Sequence, residues 1–117
     1  MTIGVINKEG NLKKLQIIEL NNNKFSGTLP EAIGTLTNLF VLDIHDNQFT
    51  GNVLSFINLI HLNYFDIRKN NFQGSFPSVY YNANIFPNLT YFGVLFNDNL
   101  KIPEVCINTP FCYRSIK

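Results

Sequence analysis

The chain has 117 residues, with nine lysines and arginines against eight aspartates and glutamates, and a formal net charge of +1. This length fits one domain, and the balanced charge gives no electrostatic footprint for nucleic acid or an anionic membrane surface. No apolar run approaches the ~20 residues of a membrane-spanning helix, so we expect no membrane segment in this chain.

One string of residues occurs three times, and a fourth copy keeps its first half. The copies begin at Leu15, Leu39, Leu62 and Leu89, which are 24, 23 and 27 residues apart. Each reads Leu-x-x-Leu-x-Leu-x-x-Asn-x-Phe-x-Gly, with Ile, Phe or Val replacing some leucines. This period is typical of leucine-rich repeats. It predicts a single domain with an N-terminal edge or degenerate repeat 1–14, repeats 15–38, 39–61 and 62–88, a partial repeat 89–100 and a C-terminal cap 101–117.

The centre of each repeat alternates apolar and variable residues, which is the pattern of a strand with one buried face. In the first copy we expect Ile18 and Leu20 to face the interior, and Ile17, Glu19 and Asn21 to face outward. Parallel strands from successive copies would then stack about 4.8 Å apart into a curved sheet. The chirality of parallel crossovers predicts a right-handed coil.

Three columns of structural residues follow these strands. An asparagine side chain both donates and accepts hydrogen bonds, so one column can satisfy the backbone where the chain turns. A column of phenylalanines would fill the coil, and a column of glycines marks a backbone position with an unusual dihedral angle. The members are Asn23, Asn47, Asn70 and Asn97; Phe25, Phe49 and Phe72; and Gly27, Gly51 and Gly74.

The run Asn-Lys-Phe-Ser-Gly-Thr-Leu-Pro at 23–30, followed by Ile33-Gly34, resembles the plant-type extracellular leucine-rich repeat, and 70–77 is a second good copy. The resemblance implies an α/β-type solenoid: a right-handed superhelix with a short curved parallel sheet on its concave face and a mostly irregular or 3-10 convex side. It also implies a binding role, because the family includes receptor-kinase ectodomains, receptor-like proteins and secreted polygalacturonase inhibitors.

On such a scaffold the outward strand positions are free to recognise a partner, since the coil does not need them. We expect a protein or peptide ligand on the concave face, with tyrosines as anchors. The carboxylates of Glu19, Asp43 and Asp66 are expected to stack across the strands. They either attract a basic partner or are simply the acidic residues usual at this repeat position. The candidate contact residues are Glu19, Asn21, Val41, Asp43, His45, Tyr64, Asp66, Arg68 and Tyr91.

The sequence contains no catalytic constellation, so we expect no enzyme activity and no cofactor. The two histidines, His45 and His61, occupy different repeat positions and are not expected to converge on one site. A regular line of carboxylates on one sheet face does not offer the surrounding shell of oxygens that Ca²⁺ prefers. We therefore expect no metal site.

Two features bear on the cellular compartment. Cys106 and Cys112 follow the last repeat, where a short-loop disulfide would close the end of the stack; the alternative is a pair of reduced thiols in a cytosolic cap. Asn88 opens an Asn-Leu-Thr sequon for N-glycosylation, although the same Asn-Leu pair also occurs at Asn38. With the resemblance, these features predict an extracellular or secreted chain, or the ectodomain fragment of a membrane-anchored parent.

Two other classes of function stay open. A regular solenoid can match a repeating surface, so cell-wall polysaccharide or ice is an alternative ligand. Ice binding favours small polar residues in line, and Thr28, Asn52 and Ser75 each follow a glycine. The second alternative is a structural fragment whose N-terminal edge stacks on other repeats.

Overall fold

The computed structural model describes residues 14–29, 31–53, 56–75, 85–94 and 96–101. In these ranges each repeat contributes two short strands, and one 3-10 helix, η1 (Glu31–Thr35), lies on the convex side. The strands are β1 (Ile17–Glu19), β2 (Ser26–Thr28), β3 (Val41–Asp43), β4 (Gln48–Gly51), β5 (Tyr64–Asp66), β6 (Asn71–Ser75), β7 (Tyr91–Gly93) and β8 (Asn99–Lys101).

The odd-numbered strands form the predicted parallel sheet, in the order β1-β3-β5-β7. Ile17 lies opposite Val41, Val41 opposite Tyr64, and Tyr64 opposite Tyr91. The register is constant because every copy enters its strand at the same distance from its first leucine, so each inward side chain meets its equivalent in the next repeat. The concave sheet therefore presents its outward residues as straight columns.

The even-numbered strands form a second parallel row, β2-β4-β6-β8, which the sequence analysis did not predict. Its register differs from that of the repeat motif. Thr28 lies opposite Thr50, and Thr50 opposite Asn71. The expected alignment of Thr28 with Asn52 and Ser75 is therefore wrong, since each of the first two glycines pairs two residues before the next glycine: Gly27 lies opposite Phe49, and Gly51 opposite Phe72.

The hydrophobic core lies inside the coil. The inward residues of the concave strands, Ile18, Leu42, Phe65 and Phe92, are at most 5% exposed. Phe65 and Phe92 stack with ring centroids 4.7 Å apart. Burying an apolar side chain of this size contributes about 1.5–3 kcal/mol, so stacking of neighbouring repeats supplies the stability that no single repeat has.

The predicted asparagine column is confirmed by its hydrogen bonds at Asn47, Asn70 and Asn97, whereas Asn23 bonds only within its own turn. The Asn70 side-chain nitrogen donates to the carbonyl oxygen of Ile67 in its own repeat (3.2 Å) and of Ile44 in the preceding repeat (2.9 Å). Its side-chain oxygen accepts from the backbone N–H of Phe49 at 3.0 Å. One amide thus joins two repeats and satisfies buried backbone groups at the turn. The same pattern recurs at Asn47 and Asn97.

The phenylalanine column is continuous only in its first part. Phe25 and Phe49 stack at 6.3 Å, whereas Phe72 packs edge-on against Phe56 at 6.0 Å. The predicted unusual backbone of the glycine column is confirmed. All three glycines have a positive φ, which glycine adopts without a Cβ clash. The φ angles are 89° at Gly27, 104° at Gly51 and 90° at Gly74.

No helix in the described part of the chain is long and apolar enough to cross a membrane. The N-terminal edge before residue 14 and the C-terminal cap beyond residue 101 lie outside the described residues. So do Cys106 and Cys112, and their disulfide stays a prediction.

Candidate functional site

The outward side chains of the concave sheet form columns across the repeats, and all nine candidate contact residues lie among them. The first column is the most accessible at its N-terminal end, where Ile17 is 49% exposed. The columns are Ile17, Val41, Tyr64 and Tyr91; Glu19, Asp43, Asp66 and Gly93; and, just beyond the strands, Asn21, His45 and Arg68. Leu95, the next member of the third column, lies outside the described residues.

Asp66 lies at the centre of this face and is fully buried. The Arg68 guanidinium donates to both of its oxygens, from Nη2 to Oδ2 at 2.8 Å and from Nε to Oδ1 at 2.9 Å, and the Arg68 backbone N–H donates to Oδ1 at 3.1 Å. These side-chain hydrogen bonds raise the pKa of Arg68 above its ordinary value. The carboxylate holds Arg68 in place and is itself covered, so it cannot touch a partner directly.

Asp43 occupies the equivalent position one repeat earlier, and it also accepts hydrogen bonds from the residue two positions later. Its Oδ1 accepts from the backbone N–H of His45 at 3.2 Å and from the His45 Nδ1 at 2.5 Å. The same nitrogen lies 3.3 Å from Oδ2 of Asp66. Two carboxylates around Nδ1 place a ring proton on that nitrogen. The structure thus supports a structural use of Asp43 and Asp66, while Glu19 at the head of their column is exposed.

Tyr64 and Tyr91 form a parallel stack on neighbouring strands, with ring centroids 4.6 Å apart and planes within 11°. The Arg68 guanidinium carbon lies 5.8 Å from the centroid of the Tyr91 ring, a cation–π distance. Burial, followed by the charge of Asp66, raises the pKa of Tyr64 to about 12 and also raises that of Tyr91. Both hydroxyls are therefore neutral donors at neutral pH. Both side chains stay half-exposed, so the stack presents an aromatic edge to solvent.

Gly93 leaves free the space into which the side chains of Asp66, Tyr91 and Arg68 pack. A Cβ at this position would lie 2.6 Å from Oδ1 of Asp66, 2.8 Å from the Tyr91 hydroxyl and 2.9 Å from Cδ of Arg68. Its φ is not in the left-handed region, so space rather than backbone geometry demands glycine here. Gly93 is not among the contact residues predicted from the sequence, although a glycine in an otherwise acidic column is a usable signal.

Asp43, His45 and Asp66 also have the donor types of a cation site, with ligand atoms within 4.8 Å of one another. The geometry argues against that use. Arg68 already forms a two-pronged ion pair with Asp66, and Nδ1 of His45 is committed as a donor between the carboxylates. A cation would have to displace a proton and compete with a guanidinium, so we assign no metal to this cluster.

A second concavity of about 420 Å³ lies on the other side of the coil, between the second row of strands and the convex turns. Its lining residues are all uncharged and include Thr28, Thr50 and Asn58. It lacks the rigid anchors and charged groups of the concave face, which makes the concave cluster the stronger candidate site.

Comparison with known proteins agrees with this fold. The Leucine Rich Repeat family model matches residues 14–36. Over 78% of the chain, the fold superposes on the ectodomain of the receptor kinase SOBIR1 from Arabidopsis thaliana with a TM-score of 0.70 and 32% sequence identity. The chain is a leucine-rich-repeat domain.

The leucine-rich-repeat domain also resembles larger receptor ectodomains from Arabidopsis thaliana. It matches GASSHO1/SCHENGEN3, solved with CASPARIAN STRIP INTEGRITY FACTOR 2, at 28% identity, a TM-score of 0.67 and 84% coverage. It matches HAESA, solved with an N-terminally extended IDA peptide hormone ligand, at 28% identity, a TM-score of 0.66 and 85% coverage. The domain spans 49% of the SOBIR1 chain, 12% of GASSHO1 and 16% of HAESA. A search of curated protein sequences gives no match.

Proposed function

We propose that this domain is a non-catalytic recognition module that binds a protein or peptide on its concave face. The observation that carries the proposal is the stacked Tyr64–Tyr91 pair with Arg68 fixed beside it. Tyrosine and arginine are the residues that most often anchor interfaces, and side chains fixed before binding lose little entropy when a partner arrives. The HAESA structure, with its peptide hormone ligand, supports a peptide as the class of partner.

The experiment is capture of crosslinked partners from extracellular extract with three forms of the chain. The wild type is compared with a Tyr64→Ala, Tyr91→Ala variant, which removes the aromatic stack. The control is Gln73→Ala, Asn99→Ala, since these two exposed residues lie opposite each other on the second row of strands. The proposal expects a specific band that the concave variant loses and the control keeps. A band lost only by the control would contradict it.

We further propose that the domain belongs to the extracellular part of a receptor-like or secreted inhibitor-type protein. The support is its likeness to receptor-kinase ectodomains. Oxidation of Cys106 and Cys112 to a disulfide is part of this proposal, because such bonds persist in oxidising compartments. Thiol titration of the denatured chain, purified from a secreting host, is expected to find no free thiol. Two free thiols would contradict the disulfide.

N-glycosylation of Asn88 belongs to the same proposal. Asn88 lies exposed in a turn, and the Thr90 hydroxyl donates to the backbone oxygen of Asn63 at 3.1 Å, which orders the sequon beside the concave strands. In a secreting host the chain should lose the mass of one glycan on enzymatic deglycosylation, and Asn88→Gln should show no loss. Phe40→Thr, which completes a sequon at Asn38 in the equivalent turn of an earlier repeat, is the positive control for access.

The alternative ligands have less support. Ice binding relied on the alignment of Thr28 with Asn52 and Ser75, and the register of the second row instead places Thr28 opposite Thr50 and Thr50 opposite Asn71, so the observation that suggested ice no longer holds. A negative ice-recrystallisation assay would dismiss the ice alternative, and a binding screen on cell-wall oligosaccharides tests the polysaccharide alternative. Stacking of copies through the N-terminal edge predicts concentration-dependent sedimentation, whereas a recognition module is expected to sediment as a monomer.

A further inference from the structure

The concavity of about 420 Å³ on the convex side of the coil lies between the first two repeats, and we call it the convex pocket. Its lining includes Thr28 of β2, Thr50 of β4, Gly34 of η1, and Ile57 and Asn58 of the following convex turn. Its volume lies at the lower end of the ~300–1,000 Å³ that small-molecule sites occupy. This size suits a ligand of one or two rings.

The convex pocket is open because the first repeat carries a glycine where the second carries an isoleucine. Gly34 and Ile57 each lie five residues before the first leucine of the next repeat, so they are equivalent positions. A second glycine keeps the strand side uncrowded, since a Cβ at Gly51 would lie 3.2 Å from Cγ2 of Thr28. The space therefore follows from the particular residues of these two repeats and not from the repeat motif.

The lining combines uncharged polar groups with an apolar surface. Leu29 and Phe72, which are buried, and Ile57, which is half-buried, supply the apolar part. The polar side chains are hydroxyls and amides, which can each donate and accept a hydrogen bond. They are Thr28, Thr35, Thr50, Asn52 and Asn58. None of the lining residues that the structure describes is charged.

This lining selects an uncharged ligand. A charged group that leaves water for a pocket without an opposite charge loses its hydration and gains no ion pair in return. A purely apolar ligand would cover the hydroxyls and amides without pairing them, which also costs free energy. A sugar ring matches both parts of the lining, because its hydroxyls donate and accept hydrogen bonds while its C–H groups present an apolar face.

The polar side chains come in two pairs. Thr28 and Thr50 lie opposite each other in register on β2 and β4, where neighbouring strands are about 4.8 Å apart. Thr35 and Asn58 are equivalent positions of the same two repeats, each four residues before the next leucine. One pair belongs to the strands and the other to the convex turns, so a ligand between them can be hydrogen-bonded from both sides.

We propose that the convex pocket binds an uncharged sugar of one or two rings. Thr28, Thr50 and Asn58 bond its hydroxyls, and Leu29 and Ile57 contact its C–H face. This site is separate from the concave face and goes beyond the proposed function, on which it does not depend. It requires only a pocket between two repeats and no match between the repeat spacing and an extended surface.

Titration of the ¹⁵N-labelled chain with disaccharides, followed by NMR, tests the site. Cellobiose, xylobiose and galactobiose represent neutral polysaccharides, diacetylchitobiose represents the core of protein-linked glycans, and digalacturonic acid is the charged comparison. At least one neutral probe is expected to bind with a Kd of about 10 mM or tighter and to shift the amides of Thr28, Thr50 and Asn58. The neutral probe that binds most tightly identifies the source of the sugar.

Three variants locate the site. Thr50→Val removes one hydroxyl and keeps a β-branched side chain in the strand, so we expect a folded chain with about three- to tenfold weaker binding. Thr37→Val is the matched control and should leave binding unchanged, because Thr37 is exposed and lies outside the lining. Gly34→Ile gives the first repeat the residue of the second, fills the pocket and should remove the shifts.

Absence of shifts at the pocket amides with every neutral probe up to about 20 mM would overturn the inference. Tighter binding of digalacturonic acid than of all the neutral probes would also overturn it, as would binding that neither Thr50→Val nor Gly34→Ile weakens. None of these results bears on concave-face recognition, which the capture experiment decides with its own variants.

Discussion

Arg68 and Asp66, two residues apart at the end of β5, form a two-pronged ion pair in which the Asp66 carboxylate is buried and the Arg68 side chain is 29% exposed. The Nη2–Oδ2 and Nε–Oδ1 distances are 2.8 and 2.9 Å. A desolvated carboxylate is tolerated only when its lone pairs are satisfied, and here arginine, tyrosine and backbone donors satisfy them. The pair therefore fixes the position of Arg68 beside Tyr91 before any partner binds.

Replacing Gly93 by alanine should disturb this arrangement. The added Cβ would lie 2.6 Å from Oδ1 of Asp66, which is buried and held by Arg68 and cannot move aside. We expect a loss of about 1–3 kcal/mol in the free energy of unfolding, measured by urea denaturation. In a Tyr91→Phe background the loss should be smaller, because the contact with the hydroxyl is gone. An equal loss in both backgrounds would exclude crowding by that hydroxyl.

Substituting alanine for Asn70 should destabilise the domain far more than the same change at Asn23. Asn70 is 4% exposed, and its loss leaves the buried N–H of Phe49 without its acceptor and removes one of the two donors from the carbonyls of Ile44 and Ile67. Asn23 is exposed and bonds only within its own turn. We expect a loss of about 3 kcal/mol or more for Asn70→Ala and under about 1 kcal/mol for Asn23→Ala. Similar urea midpoints for the two variants would contradict the amide ladder.

Tyr64 should make stability depend on alkaline pH. Its pKa is raised from 10.0 to about 12 in the folded chain, first by burial and then by Asp66. The folded state therefore holds the phenolic proton more tightly than the unfolded state. This contribution is complete below pH 10 and is lost as the pH rises through about 12. In an absorbance titration at alkaline pH, the tyrosine ionisation that occurs at the highest pH should be missing from Tyr64→Phe. In Asp66→Asn the same ionisation should occur at a lower pH. An unchanged profile in both variants would contradict the assignment.

The concave sheet was predictable because a fixed repeat period fixes its register. Leu15, Leu39 and Leu62 each stand two residues before a strand, so the residues between them recur at the same height in every coil. The asparagine ladder was predictable for a chemical reason, since a chain that turns inside a coil needs a side chain that both donates and accepts.

The second row of strands was not predictable from the apolar pattern. It depends on backbone conformation: the residue before each turn asparagine has a left-handed φ, and the sequence shows no common residue type at that position. The four residues are Asn22 at 58°, Asp46 at 59°, Lys69 at 55° and Phe96 at 63°.

The candidate site was predictable as a set of positions but not as a set of contacts. The alternation of the strand places Asp43 and Asp66 outward, and it correctly assigns them to one column. It does not show that the side chains two residues later fold back over them, because that depends on side-chain rotamers and on the space left by Gly93. The sequence therefore left open whether these carboxylates are free to bind a partner, and the structure shows that Asp43 and Asp66 are covered while Glu19 is exposed.

The most direct test of concave-face recognition is site-specific photo-crosslinking. A photoreactive amino acid is placed at Ile17, which is exposed on β1, or at Gln73, which is exposed on β6 of the second row. Both forms are then illuminated in extracellular extract. Our account predicts a specific crosslinked partner from position 17 and none from position 73. The same partner crosslinked from position 73 alone would contradict it.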